Sequence, residues 1–424
     1  MTVSMSVPEN SRAKTPPLTG AGWLREIEQA RHRIAGALLL SPCMESASLS
    51  ELTGMHIFCK LDNFQRTGSF KERGARNALL QLPGPRRKRG VIAASAGNHA
   101  LGLAYHGSLL GIPVTVVMPR FAPLIKSSTC RRFGAQVILH GNTFAAAKDE
   151  ADRLSREAGF TYIHGYDDPA IIAGQGTMGL EILDQVPDAE AVVVPIGGGG
   201  LIAGVAAAVK AKRPKTRIIG VESVRTPTLT KALRAGRPVK ISGATTLADG
   251  LSVPQIGARA FAIARSRVDE VVRVSEDEIA LAILRILELE KTVVEGAGAT
   301  PLAACLSGKL KHLQGQRVVL ALCGGNIDPN ILDCVIEKGL VVDGRLTRFT
   351  AVISDRPGGL AKLARLLAEA GASIKEVTHD RAFAGADVST VNVLCTLETR
   401  DHRHVREVHR SLRQNGIRFF RNVR

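Results

Sequence analysis

At 424 residues the chain is too long for one ordinary core, so two or three domains are expected, and a 45% hydrophobic fraction excludes disorder while 4% aromatics with 42 glycines suit an α/β protein. The net charge of +17 is spread along the chain with few aromatics for base stacking, so it is read as a solvated face and no nucleic-acid partner is expected. Seven cysteines, an odd number without a C-x-x-C pair, exclude a disulfide frame and a zinc knuckle and point to a reducing compartment, the cytoplasm.

Residues 1–20 are polar and Pro-rich, lack the apolar run of a signal peptide, and are expected to form a flexible N-terminal tail. The spacing of apolar residues predicts an amphipathic helix over 23–35. From about 55 onward, β-type apolar runs alternate with helical segments. The first chemical motif is Thr67-Gly68-Ser69-Phe70-Lys71. A lysine after a glycine turn and an apolar Phe is open to partial desolvation, which lowers the amine pKa and suits it to Schiff-base chemistry. Taken alone, the motif does not separate this from an ordinary surface lysine.

A strand over 90–95 leads into Ser95-Ala96-Gly97-Asn98-His99, where a helix over 98–110 begins. The free N–H groups there can bind a carboxylate, or else Ser95 or Asn98 simply caps the helix. Strands over 114–118 and 136–140 alternate with helices over 126–133 and 143–158. The uncharged stretch 191–209 is interrupted by Pro195 and Gly197-Gly198-Gly199-Gly200, so no membrane span is expected; a strand over 192–196, a glycine turn and a helix fit better. Residues without Cβ let backbone N–H groups crowd around a phosphate, and the helix dipole favours the anion. A plain βα turn is the alternative, disfavoured because each glycine costs entropy. No Walker lysine follows, and there is no Gly-x-Gly-x-x-Gly in context, so neither a nucleoside triphosphate nor NAD is expected. Strands over 217–222 and 318–322 follow. The second delivers Cys323-Gly324-Gly325-Asn326 to a strand C-terminal end, where ligands sit in open α/β sheets; Cys323 is otherwise a small buried hydrophobe. Repeated β-α units predict parallel sheets with right-handed crossovers.

The rhythm changes near Val342-Asp343-Gly344. A strand over 348–354 and the turn Asp355-Arg356-Pro357-Gly358-Gly359 precede a helix over 360–370, with Leu360, Leu363, Leu366 and Leu367 on one face. Strands at about 373–381 and 388–398, a helix at about 402–414 and a last strand over 417–421 complete a ferredoxin-like β-α-β-β-α-β module. The expected division is a tail (1–20), a two-lobed catalytic region (21–345) and a C-terminal regulatory module (346–424).

Together these motifs resemble the pyridoxal-phosphate-dependent threonine/serine dehydratase family of fold type II. The matching blocks are Thr67 to Asn77, Ala94 to Gly102, Pro195 to Gly204, Val293 to Ala299 and Leu322 to Asp328, in order, over roughly residues 20–335. The C-terminal module resembles an ACT domain, the small-molecule sensor of amino-acid enzymes. Its turn Asp355-Arg356-Pro357-Gly358-Gly359-Leu360 matches that family's effector loop. The resemblance implies two parallel-sheet α/β lobes and a pyridoxal 5′-phosphate cofactor carried by Lys71. Phe70 would pack beside its ring and Asn98 would bond its 3′-oxygen. Gly197, Gly198, Gly199 and Gly200, with the Leu201 N–H, would hold its phosphate, and Cys323 would face its ring nitrogen. Ser95, Asn98 and His99 would orient the substrate carboxylate. Glu295 would line the pocket, unless it is an ordinary helix-end carboxylate. The implied reaction is deamination of L-threonine to 2-oxobutanoate and ammonia, with L-serine giving pyruvate, in amino-acid metabolism of the isoleucine-biosynthesis kind. A homo-oligomer, dimer or tetramer, with an amino-acid effector is implied as well.

Several positions depart from the family pattern. Cys323 stands where many threonine dehydratases have Ser, whereas serine dehydratases use Cys. Ala96 stands where the similar serine racemases carry a catalytic Ser. Glu222 matches one ligand of the racemases' divalent ion, but Thr228 replaces an acidic one, so no metal is expected. The competing functions are a serine racemase or β-replacement synthase, or a serine dehydratase, on the same fold, and a non-catalytic amino-acid sensor. Ala96 and the ACT-like module count against the racemase or β-replacement synthase, and Lys71 with its phosphate loop against the sensor.

Overall fold

Apolar runs without alternation mark strands covered on both faces, and they build two parallel sheets in the computed structural model, which describes residues 20–122, 124–242, 244–380 and 389–421. The expected tail lies outside the described residues except for Gly20. The larger sheet runs Cys43–Glu45, His56–Leu61, Arg317–Leu322, Ala191–Pro195, Arg217–Ser223, Glu270–Val274. All neighbours pair in parallel except Cys43–Glu45, an antiparallel edge. The smaller sheet, Gln136–Leu139, Val114–Met118, Val91–Ala94, Thr161–Tyr162, is wholly parallel. Its strands come from the chain between His56–Leu61 and Ala191–Pro195, so one lobe is inserted into the other. Four strands are not singled out from the sequence: His56–Leu61 is central, while Cys43–Glu45, Thr161–Tyr162 and Glu270–Val274 sit at sheet edges. Short edge strands with one wet side carry little apolar pattern.

The helix Pro169–Gln185 joins the lobes through backbone contact. A Cβ at Gly174 would lie 2.6 Å from the Arg73 carbonyl of helix Lys71–Leu80, and one at Gly204 in helix Gly200–Lys212 would lie 2.4 Å from the Ile172 carbonyl. Glycine at these positions lets three helices touch, which fixes the start of one relative to the start of another. Among the described residues no helix is long and apolar enough to cross a membrane.

The C-terminal module is a four-stranded antiparallel sheet, Ser373–Asp380, Thr390–Glu398, Leu346–Ser354, Arg418–Arg421, with helices Gly359–Glu369 and His402–Gln414. The expected strand ends at 381 and 388 lie outside the described residues. Phe349, Ile353, Leu363, Leu367, Val393 and Leu412 form its core. Of the four leucines expected on one helical face, Leu363, Leu366 and Leu367 are buried and Leu360 is 42% exposed. It occupies the first helical turn, beside the exposed Pro357 and Gly358, and stays outside the core.

Candidate active site

The turn before Lys71 is stitched to the loop after Arg317–Leu322. Phe70 N–H donates to the Cys323 carbonyl at 2.9 Å, and Gly325 N–H to the Gly68 carbonyl at 2.9 Å. Gly68 has φ +74°, and a Cβ there would lie 2.5 Å from Asn326 Oδ1, so glycine is required. The Thr67 N–H donates to the Glu72 carboxylate, whose other oxygen lies 2.9 Å from His106 Nε2. Lys71 then opens its helix, half-buried, with Nζ donating to the Gly165 carbonyl at 2.7 Å and 5.1 Å from the Phe70 ring centre. Burial pulls its amine down to about 8, against an opposing pull from Cys323 and Glu295.

Phe70, Lys71, Ser95, Asn98, His99, Gly197 to Leu201, Glu295 and Cys323 line one cavity of about 740 Å³. Residues Asp355 to Leu360 are not part of it and sit in the C-terminal module. The Gly197 to Leu201 segment is buried, and Gly199 (φ +87°) is the N-cap of helix Gly200–Lys212 without a side-chain cap. Among the described residues no group accepts from the N–H groups of Gly198 to Leu201. Buried donors without partners suit an anion. The glycines answer a second demand too, because a Cβ at Gly198 would stand 2.2 Å from the Tyr166 ring.

At the start of helix Asn98–Leu110 the N-cap is Gly97, and neither Ser95 nor Asn98 caps the helix. Instead Ser95 Oγ accepts from the Gly97 N–H at 3.3 Å. Asn98 Nδ2 donates to Glu295 Oε1 at 2.8 Å, while Asn326 Nδ2 donates to Asn98 Oδ1 at 2.9 Å. His99 is buried with Nε2 3.1 Å from the Ile163 carbonyl. Burial first, then Lys71, hold its imidazole down to about 3, so it is a neutral group. Burial first, then Asp249, push Glu295 up to about 7. Burial, with Glu295 next, pushes the Cys323 thiol well above its usual range, so it stays a neutral thiol.

Sequence reasoning missed Gly165 and Tyr166, and it placed Asn326 in a motif without giving it a role. The one nearby signal is Asp167-Asp168-Pro169: Asp168 caps helix Pro169–Gln185, while the Asp167 carboxylate caps helix Ala258–Ala264. Glu222 is spent on backbone and hydroxyl donors at the start of helix Thr228–Ala235, accepting from Thr230 N–H at 3.1 Å and Thr230 Oγ1 at 2.6 Å.

A half-buried lysine, a buried anion cradle and a neutral thiol around one cavity define a site for an anionic, carbonyl-bearing cofactor. Residues 34–324 match the family described as pyridoxal-phosphate dependent enzyme. The chain is 45% identical over 393 residues to L-threonine ammonia-lyase of Thermotoga maritima, covering 93% of this chain and 98% of that one. It is also 45% identical over 382 residues to L-threonine ammonia-lyase of Geobacter sulfurreducens, covering 90% and 95%. Among solved structures, the processed form of threonine deaminase isoform 2 from Solanum lycopersicum superposes with a TM-score of 0.73 at 35% identity, over 80% of this chain and 100% of that one. The chain belongs to the pyridoxal-phosphate dependent enzyme family.

Proposed function

We propose that this chain is a threonine ammonia-lyase that converts L-threonine to 2-oxobutanoate and ammonia and also accepts L-serine, giving pyruvate. The observation that carries the reading is the single cavity in which the Lys71 amine, pulled down to about 8, shares walls with the uncapped Gly197 to Leu201 cradle. The relatives named L-threonine ammonia-lyase support it over nine-tenths of the chain.

When bound, pyridoxal phosphate supplies an electron sink for the pair released at the substrate Cα. Lys71 would carry it, and, once released, would take the Cα proton as base. The N–H groups of Gly198 to Leu201 would hold the phosphate, Asn98 the 3′-oxygen, and Phe70 the ring face. The neutral Cys323 thiol would face the ring nitrogen without fixing a proton there, which favours elimination over racemisation. Ser95, Asn98 and the neutral His99, with the uncapped helix start, would orient the substrate carboxylate by hydrogen bonds.

In this reading residues 21–345 are the catalytic region and 346–424 an ACT domain that senses an amino acid at Asp355, Arg356, Pro357, Gly358, Gly359 and Leu360. The β-α-β-β-α-β order and the helix start at Gly358, without a side-chain cap, support it. The 393-residue match is longer than the chain before residue 346, so it runs into this module. The edge strand Ser373–Asp380, with Ile374 and Val377 exposed, suits side-by-side pairing in a dimer or tetramer. Seven free cysteines suit a reducing cytoplasm.

The purified protein should absorb visible light through its lysine-bound cofactor, and borohydride should fix that group on Lys71. It should release 2-oxobutanoate from threonine. Lys71→Ala should lose roughly 10³-fold or more in turnover while remaining folded. Turnover within about tenfold of wild type would sink the assignment.

A further inference from the structure

Glu295 is the N-cap residue of helix Gly296–Leu306, yet no side-chain cap bond ties it to that helix. It is 4% exposed and wedged between Asn98 of one lobe and the Gly250 and Gly324 backbones of the other. A Cβ at Gly324 would stand 2.4 Å from Glu295 Oε1. Its hydrogen bond comes from a neutral amide, Asn98 Nδ2. Among the described residues no Lys, Arg or His is within ion-pair distance of it. Lys71 donates to the Gly165 carbonyl instead, and Lys126 pairs with Asp249 at 3.0 Å. A carboxylate here would be a buried charge without a counter-ion. Asn98 is held from its other end as well. Asn326 Nδ2 bridges Asn98 Oδ1 at 2.9 Å and the Thr67 carbonyl at 2.6 Å. With its oxygen engaged and one N–H on Glu295, the Asn98 amide has a single orientation and one N–H left over for the cavity.

We propose that Glu295 is a positioning residue that works as an uncharged acid, orienting the Asn98 amide toward the reacting atoms and, by staying neutral, leaving Lys71 available as a base. This deepens the ammonia-lyase reading and rests on it. The charged or titratable groups facing Glu295 are Lys71, Cys323, Asp249 and Lys126. Burial and then Asp249 push its carboxyl up to about 7, while Asn98, Lys126 and Lys71 oppose them. In return, a charged Glu295 raises the Lys71 amine, against the lowering by burial, and so favours its protonated form. The carboxyl is uncharged below about 7 and ionises above it, so its contribution is present at lower pH and lost as pH rises through that value.

Glu295→Gln preserves an uncharged group of the same shape that cannot ionise. Its kcat/KM for threonine should fall by less than about tenfold at about pH 6, and the alkaline decline of the wild type should move upward or vanish. Glu295→Ala, which leaves Asn98 without its partner, should lose roughly 100-fold in kcat while still holding cofactor. In the wild-type protein, with or without cofactor, infrared difference spectra should show a protonated carboxyl band that disappears as pH passes about 7 and is missing from Glu295→Gln. An inactive Glu295→Gln beside an active Glu295→Asp, or a wild type lacking the band already at about pH 6, overturns the proposal. A wild type that neither holds cofactor nor deaminates threonine overturns the ammonia-lyase reading instead, and the infrared band still decides the charge of Glu295.

Discussion

The Tyr166 ring lies against the glycine loop, and its backbone crowds Gly200 as well, where a Cβ would meet the Tyr166 carbonyl at 2.5 Å. Four consecutive glycines therefore serve two masters, unpartnered N–H groups aimed at the cavity and close packing against Tyr166, which lines the same cavity. Gly198→Val meets both. It should release most of its cofactor on dialysis and also destabilise the fold by about 1–3 kcal/mol, as overpacking does. Adding Tyr166→Ala should recover part of the stability. Absorbance after dialysis and melting curves check this; full cofactor retention in the single variant contradicts it. The motif residues were legible because each group is contiguous in the chain. Tyr166 and Gly165 were not, nor was the role of Asn326, since these come from contacts such as Lys71 with Gly165, 94 residues apart, and Asn98 with Asn326, 228 apart.

Helix Lys71–Leu80 is anchored by charges that a sequence presents as ordinary surface residues. Arg73 is fully buried, bonding Asp62 at 2.6 and 2.8 Å and Glu181 at 2.6 and 2.7 Å. Lys60, also fully buried, reaches Glu181 at 2.7 Å and the Ser41 carbonyl at 2.6 Å. Burial alone raises the Asp62 carboxyl, but Arg73, then Lys60 and Ser41, outweigh it and hold it below its ordinary value. Two cations and two anions thus join the end of strand His56–Leu61 to helices Lys71–Leu80 and Pro169–Gln185. Arg73→Met leaves Asp62 and Glu181 short of a partner and should cost about 3–5 kcal/mol in urea unfolding, with cofactor loss following because Lys71 sits two residues away. A loss under about 1 kcal/mol would show that the network is dispensable. The limits of helix Asn98–Leu110 were legible from the glycines that flank it, and those of helix His402–Gln414 from its periodicity and the preceding Asp401. The pairing of Lys60 and Arg73 with Glu181 has no local signature, since their partners lie 121 and 108 residues away.

At the level of the whole molecule, the β-α succession was readable, but the insertion of one sheet within the other was not, because strand neighbours such as His56–Leu61 and Arg317–Leu322 are set by tertiary packing. The same holds for the join to the C-terminal module. Asp343 is bound by Arg285 at 2.5 Å, Arg345 pairs with Glu288, and Thr399 N–H donates to the Arg345 carbonyl at 2.9 Å. Glu288 lies in a π-helical turn, Ile286–Glu290, a form concentrated at functional sites. Lys291 follows with φ +54°, the one non-glycine residue with positive φ among the described residues. Thr292 and Val293 are held by Asn63 at 3.0 and 3.2 Å, and Glu295 comes next but one. A strap of eight residues, Glu288 to Glu295, thus runs from the module's join to the cavity wall. An effector that binds two states unequally shifts their balance, whereas equal binding shifts nothing. Isoleucine or valine is therefore expected to alter threonine kinetics in the intact chain, and the core left after removing residues 346–424 should not respond. Glu288→Ala should keep calorimetric binding of the effector yet lose at least about half of the kinetic response, because the ion pair to Arg345 is the first link of the strap. An unaltered response in Glu288→Ala removes the strap from the path of coupling. Identical kinetics with and without a panel of amino acids, together with no calorimetric binding, would leave the module an assembly element without a sensor's role.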